Sequence, residues 1–420
     1  MSTRDYACKR IEATLAEIER LKEGDFPYGH SQEALYKICQ VYEGDLHQLD
    51  SLNDQNDVAT VNRACAIALS NMFRYLPLLG FVLRSTNLRN AFEVYRPLLD
   101  LASDVLEPGV PKPNRKTRLL LSSEWEYSPF IYKEVSTLLD FVLIGLPAPE
   151  SSNPFLLPMA GHELGHRVWA KKQLTTTLKV GVEQEVQRLI FSRWNEFQQV
   201  VHPQTVAVAP TASDLFVLES IDWTSSITRL QAEESFCDLL GLRIFGVSYL
   251  YAFAYLLSPT LLGQRSLIYP NILKRVTNLL DATREYQIIA PTNYISMFED
   301  QREPNLTKKE QFLLSIADMA LTALVPTLIQ FANQAIVEAG VVNVSDAEAQ
   351  RIYARLQLMV PAEKSKSLAD ILNAGWLAYN NVSLWSDVVT DTKLRSLTLK
   401  ELVLKNIEVF EIEQIMLRPK

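Results

Sequence analysis

Ser151-Ser-Asn-Pro-Phe-Leu-Leu-Pro-Met-Ala-Gly-His-Glu-Leu-Gly-His-Arg-Val-Trp-Ala-Lys-Lys172 is the stretch on which the fold of this chain turns. Its first four residues are a helix-start signal, capping side chains followed by proline. The spacing predicts a helix that runs to about Lys172, with Pro158 tolerated because it lies near the first turn. Leu157, Ala160, Leu164 and Val168 recur at helical spacing and predict a core-facing stripe. His162 and His166 are four residues apart, so a helix puts both imidazoles on one face, where two nitrogens can hold one zinc ion. Glu163 lies between them, placed to reach a zinc-bound water and take its proton.

A catalytic zinc site needs three protein ligands and one open position. A third histidine six residues after His166 is excluded, because that position is Lys172, and position 169 is Trp rather than Gly. His30, His47 and His202 sit in no ligand-like context and read as solvated or hydrogen-bonded histidines. The helix-prone segment Thr228–Phe245 contains Glu234-Ser-Phe-Cys-Asp238. There Glu234 can bind the ion, while Asp238, one turn on, accepts the free N–H of a ligand histidine and fixes its tautomer. Phe236, Cys237, Leu239, Leu240 and Leu242 leave little polar surface around the pair. Glu233 is a rival third ligand that lacks an aspartate four residues on. Glu183 and Glu185 are nearer rivals, but Gln187 and Leu189 supply no partner, so they read as the solvated face of a helix.

Outward from these motifs, residues 3–106 read as helices, with stripes such as Ile11, Leu15, Ile18 and Leu21. Glu107-Pro-Gly-Val-Pro-Lys-Pro-Asn114 is a clear break. Arg118 to Tyr132 reads as extended chain, and Phe141 to Leu146 as a short apolar strand stopped by Pro147. Helices resume at 180–200 and 214–258, Pro203 to Ala212 and Pro291 to Pro304 are linkers, and 307–420 is helical again. The 14 glycines and 20 prolines in 420 residues suit long helices better than many short strands. A net charge of −8 leaves no footprint for nucleic acid. Cys8, Cys39, Cys65 and Cys237 form no CxxC pair, and the first residues lack the apolar core of a signal peptide, so a cytoplasmic setting is expected. The uncharged runs Ile244–Gln264 and Met319–Val337 read as buried helices rather than membrane spans.

With HExxH followed by ExxxD, the chain resembles the gluzincin zinc metallopeptidases. The layout is nearest to the branch of prenyl-protein-processing and membrane quality-control endopeptidases. It is also similar to uncharacterised bacterial HELGH proteins. The branch carries a later His-Pro-x-x-x-x-Arg element, where this chain has Tyr269-Pro-Asn-Ile-Leu-Lys-Arg275. The resemblance covers roughly residues 117–280. It implies a bound peptide lying antiparallel to an edge strand, supplied by Ser122–Tyr132 or Phe141–Leu146, although Trp125 and Tyr127 read better as core or sheet-surface aromatics. It also implies catalytic places for Tyr269 and Arg275 near the reacting carbonyl, where a phenol can donate to an oxyanion.

The expected fold is mainly α (α+β): an N-terminal helical region 1–110, a zincin-like core with a small sheet at 111–300, and a C-terminal helical region 301–420. The expected function is a zinc metalloendopeptidase acting on an intracellular protein or peptide. In it Zn2+ is held by His162, His166 and Glu234, Glu163 is the general base, and Asp238 orients a ligand. The alternatives are a helical interaction or regulatory protein with a structural or vestigial zinc site, and a zinc hydrolase of a non-peptide amide. The flanking helices are expected to select substrate, inhibit, or contact a regulatory partner or a second copy of the chain.

Overall fold

The computed structural model describes the chain except residues 1–2, 25, 27–28, 53–56, 86–91, 125–129, 132–137, 139, 148–149, 151, 202–214, 259–264, 303 and 418–420. Trp125, Tyr127, His202 and the 203–212 linker therefore lie outside the described residues. The fold is mainly α with one small sheet. Its elements begin with α1 (Thr3–Lys22), α2 (Gly29–Asp50), α3 (Val58–Arg84) and α4 (Phe92–Leu106), followed by β1 (Arg118–Glu124), β2 (Phe130–Ile131) and β3 (Phe141–Pro147). Then come α5 (Ala160–Lys171), α6 (Leu174–Ser192), α7 (Trp194–Val201), α8 (Leu215–Phe245), α9 (Val247–Leu257) and α10 (Ile272–Glu285). The chain ends in α11 (Lys308–Ala339), α12 (Asp346–Gln357), α13 (Leu368–Tyr379) and α14 (Thr392–Met416).

These elements form two compact units, Met1–Leu99 with Asn114–Ser152, and Asp100–Pro113 with Asn153–Lys420. The division departs from the three consecutive regions expected from sequence, and burial explains it. In the first unit, Leu120, Phe141 and Leu143 of the strands share one core with Ile11, Leu35 and Phe81 of the helices. In the second, α11 packs its buried face on α8, and α13 packs on α8 and α9, so residues 301–420 complete the unit that holds the HExxH helix.

The sheet has the order β1-β3-β2, with β3 parallel to β1 and antiparallel to β2. Every residue of β3 is buried, which fits its continuous apolar sequence. Because β3 is paired on both sides at Ile144 and Gly145, Phe141–Leu146 has no open edge there to offer a peptide. The other candidate, Ser122–Tyr132, contains the end of β1 and β2, which lie at the two margins of the sheet among the described residues.

In the second unit Pro154–Met159 forms a 3-10 turn, and α5 begins only at Ala160. Two prolines in six residues withhold backbone donors, and the Asn153 side chain accepts from Phe155 N at 3.2 Å to open the turn. The Ile244–Gln264 run is likewise broken, at Gly246, where φ is +62°. Asn373 of α13 stitches that break: its amide donates to Phe245 O at 2.8 Å and accepts from Ser248 N at 2.9 Å. Two helices, Val58–Arg84 and Lys308–Ala339, are long and apolar enough to cross a membrane by length and composition, with 39% and 56% of their most apolar windows buried. The second contains Met319–Val337, and its buried side is the one that packs on α8.

The contact that positions the candidate site is the seam between α5 and α8. A Cβ on Gly165 would lie 2.6 Å from Cys237 Cα, and one on Gly161 would lie 2.9 Å from Gly241 Cα. Glycines one turn apart on α5 thus face small residues one turn apart on α8, and the two backbones approach as only such residues allow. Trp169, against the Phe236 ring with centroids 5.4 Å apart, closes the far end of the seam. Gly165→Ala is expected to cost about 1–3 kcal/mol through overpacking, read as a lowered denaturation midpoint. Gly181→Ala on α6, where a Cβ meets nothing within 4 Å, should be neutral or stabilising by up to about 1 kcal/mol. Equal midpoints for both variants would refute the close-seam account.

Candidate metal centre

Across that seam, two histidines of α5 meet three carboxylates of α8. His162 Nδ1 lies 2.8 Å from Asp238 Oδ1, and His166 Nδ1 lies 2.8 Å from Glu233 Oε1. A carboxylate accepts, so each Nδ1 donates, and each ring is turned with Nε2 as its outward nitrogen. Both Nε2 atoms face one side chain: Glu234 Oε2 is 3.3 Å from His162 Nε2, and Glu234 Oε1 is 3.9 Å from His166 Nε2. Both imidazoles thus converge on the Glu234 carboxylate, and the ligand atoms of His162, His166 and Cys237 all lie within 4.8 Å of one another. Glu234 Oε2 is a buried oxygen without a well-formed hydrogen bond among the described residues, and His162 Nε2 at 3.3 Å is the positive group that offsets its burial.

His162, His166 and Glu234, the sequence-expected ligands, are therefore brought together, with Asp238 behind the first of them. Glu233 takes the matching place behind His166 and does not compete with Glu234 for the cation. The rival pair is elsewhere: Glu185 is bound to Arg188, and Glu183 stands 3.5 Å from Arg229. His30 is held by Tyr95 Oη and Leu119 N, and His47 is exposed at the end of α2.

Arg275 differs from the expectation of a group facing the reacting carbonyl. Its Nε and Nη2 donate to the two oxygens of Asp238, each at 2.8 Å, and it is 9% exposed. Its guanidinium lies between the Phe253 ring at 5.0 Å and the Tyr269 ring at 5.3 Å. A bidentate pair of this kind is committed, so Arg275 acts through Asp238 and not on a substrate. Tyr269 sits beside the centre with its ring 42% exposed, and burial and the Glu234 charge push its hydroxyl up to about 12. It therefore stays a protonated donor at neutral pH.

Two further groups, Tyr249 and Cys237, had no site role in the sequence analysis, and Glu233 had only that of a rival ligand. Tyr249 of α9 donates to Asp238 Oδ1 at 2.8 Å, and its ring packs on Gly241. Glu233 orients His166, as described. Cys237 offers a sulfur within 4.8 Å of a nitrogen of each ligand histidine; burial and the surrounding carboxylates hold its thiol protonated, well above the usual range. The four-residue spacing of Gly161 with Gly165 was a readable signal for the seam. Nothing local in the sequence marks Tyr249.

The carboxylates differ by surroundings. Burial alone would raise Asp238, but Arg275 and His162 override it and hold that carboxyl far below the ordinary range. Burial would raise Glu234 too, and His162 reverses it, so this carboxyl is lowered. The Glu163 carboxylate makes no hydrogen bond among the described residues, and burial raises it. Burial also disfavours charge on His162, yet the Asp238 and Glu234 carboxylates outweigh that and push it up to about 10.

That raised value carries a signed consequence. The stabilisation His162 gains by holding a proton is complete below its unfolded value of about 6.5 and fades as pH climbs toward the folded value. A metal ion competes for the same nitrogen. Zinc or cobalt affinity is expected to rise by up to about tenfold per pH unit between about pH 7 and 9, with proton release seen in calorimetry across buffers of different ionisation enthalpy. Affinity independent of pH over that window would count against His162 as a ligand.

No known protein family, curated protein or solved structure matches the chain, so its function rests on the chemistry of these side chains.

Proposed function

We propose that the protein is a zinc-dependent hydrolase of the HExxH and ExxxD type that cleaves peptide bonds in a protein or peptide. The observation that carries this reading is the orientation of the two imidazoles. Both Nδ1 atoms are tied to carboxylates, both Nε2 atoms face the Glu234 carboxylate, and Glu163 is left uncommitted beside them. Glu163, Glu233, Glu234 and Asp238 gather around Arg275 and a His162 whose proton a metal ion would displace, so the carboxylates favour a cation at this place.

His162, His166 and Glu234 would hold the ion, which when bound supplies Lewis acidity toward a carbonyl and toward water. Glu163, raised by burial, accepts the proton of the attacking water and returns it to the leaving amine. Tyr269 donates a hydrogen bond to the oxygen on which negative charge develops. Asp238 and Glu233 keep the rings in the tautomer that leaves Nε2 available, and Arg275 and Tyr249 keep Asp238 ionised and in place.

One observation favours a second reading. The Cys237 sulfur stands within 4.8 Å of a nitrogen of each histidine, and a cation held there by sulfur as well as nitrogen would make the site structural and the chain a helical interaction protein. The two readings part at Glu163. Under the first, Glu163→Gln keeps the metal content of the wild type and lowers cleavage of casein or a peptide library by about 10²–10⁴-fold. Metal-loaded wild type that cleaves no better than the variant would leave the structural reading standing.

A further inference from the structure

Arg243 stands on the last turn of α8, five residues beyond Asp238, and lines a cavity of about 320 Å³. The cavity is bounded by the α8–α9 junction at Gly246, by Tyr286 and Gln287 after α10, by Asn333 of α11 and by Asn343. The guanidinium is held in one plane. Nε donates to Asn333 Oδ1 at 2.8 Å, and Nη2 donates to Asn343 Oδ1 at 2.7 Å. Its face lies over the Tyr286 ring at 5.7 Å, and that tyrosine is itself pinned by a 3.1 Å bond to Ile329 O.

Arg243 differs from several arginines of this unit in the sign of its partners. Arg265 pairs with Asp318, Arg275 with Asp238, Arg193 with Glu196 and Arg351 with Glu348. Arg243 has only neutral amide oxygens and a ring, and among the described residues no carboxylate pairs with it. A half-buried guanidinium bears a desolvation cost that amide acceptors offset only partly. Two of its five N–H groups are used, which leaves donors for a further acceptor. The same cavity is lined by the carboxylates Glu285 and Asp346, which would repel a bare polyanion and welcome a cationic group.

We propose that this cavity binds a small zwitterion, its carboxylate or phosphate oxyanion on Arg243 and its ammonium group toward Glu285 and Asp346. The site is independent of the metal centre and of any hydrolytic activity.

The test uses the full chain and phenylglyoxal, which modifies accessible guanidinium groups, with labelling of Arg243 followed by peptide mass spectrometry. Glycine and phosphoethanolamine are the zwitterionic probes, one for each oxyanion; acetate and inorganic phosphate are the matched anions without an ammonium group. Labelling of Arg243 is expected to slow at least about tenfold under a saturating zwitterion, with weaker protection from its matched anion. Whichever zwitterion protects identifies the oxyanion. Arg243→Met should weaken calorimetric binding of that probe at least about tenfold, in keeping with loss of a charge-assisted contact. Unchanged labelling with all four probes overturns the site, and equal protection by the plain anions overturns the zwitterion. The labelling arm needs no variant, so a folding defect in Arg243→Met leaves the test intact.

Discussion

The candidate centre exists because two helices touch backbone to backbone. An ordinary helix pair keeps its axes about 8–10 Å apart, held off by the side chains at the contact. At Gly161 and Gly165 there are none, and Cys237 and Gly241 opposite them are small. The short carboxylate of Asp238 can then span from α8 to an imidazole of α5, and Glu234 can face two imidazoles at once. Every distance in the site inherits this approach. Were the seam wider by one methyl group, the histidines would keep their spacing and lose their partners.

The seam also determines how charge is buried. Glu234 and Asp238 are each almost wholly enclosed, and an enclosed carboxylate is tolerated only with compensation. Asp238 receives it from Arg275, Tyr249 and His162 together. Glu234 faces the two histidines, and its oxygen nearer His162 makes no well-formed hydrogen bond among the described residues. The molecule thus sets the buried guanidinium of Arg275 on Asp238, the carboxylate that holds the His162 ring in place, and leaves Glu234 facing the two imidazoles.

The sequence made much of this legible, for reasons that are local. HExxH declares itself because a four-residue helical spacing is a distance, and Glu234 with Asp238 is recognisable for the same reason. The strands at Arg118 and Phe141 were legible as apolar runs between breaks. Which core they join was not, because partner choice depends on contacts with α1–α3 that are distant in the chain. The same limit misplaced residues 301–420 as a flank, when α11 and α13 pack against α8. Arg275 was legible as a motif position and misread in role, since only the folded chain shows both oxygens of Asp238 occupied by it. Glu233 was noticed as a rival ligand; its part behind His166 follows from which face of α8 meets α5, and residue type alone does not give that.

Four acidic side chains crowd one small volume, and their different surroundings are the strongest internal support for assigning them different tasks. Asp238 is ionised by a guanidinium and made rigid by three donors, which suits a group that must never move or take a proton. Glu234 is ionised by imidazoles and has an oxygen to give, which suits a ligand. Glu233, 20% exposed along its side chain, can orient a ring without needing a buried counter-charge. Glu163 alone is enclosed with neither a hydrogen bond nor a guanidinium, and its affinity for a proton is raised for that reason. A carboxyl in that condition is a poor permanent anion and a good transient proton acceptor. The division between holding a cation and handling a proton is therefore already drawn by burial and pairing, before any ion is considered.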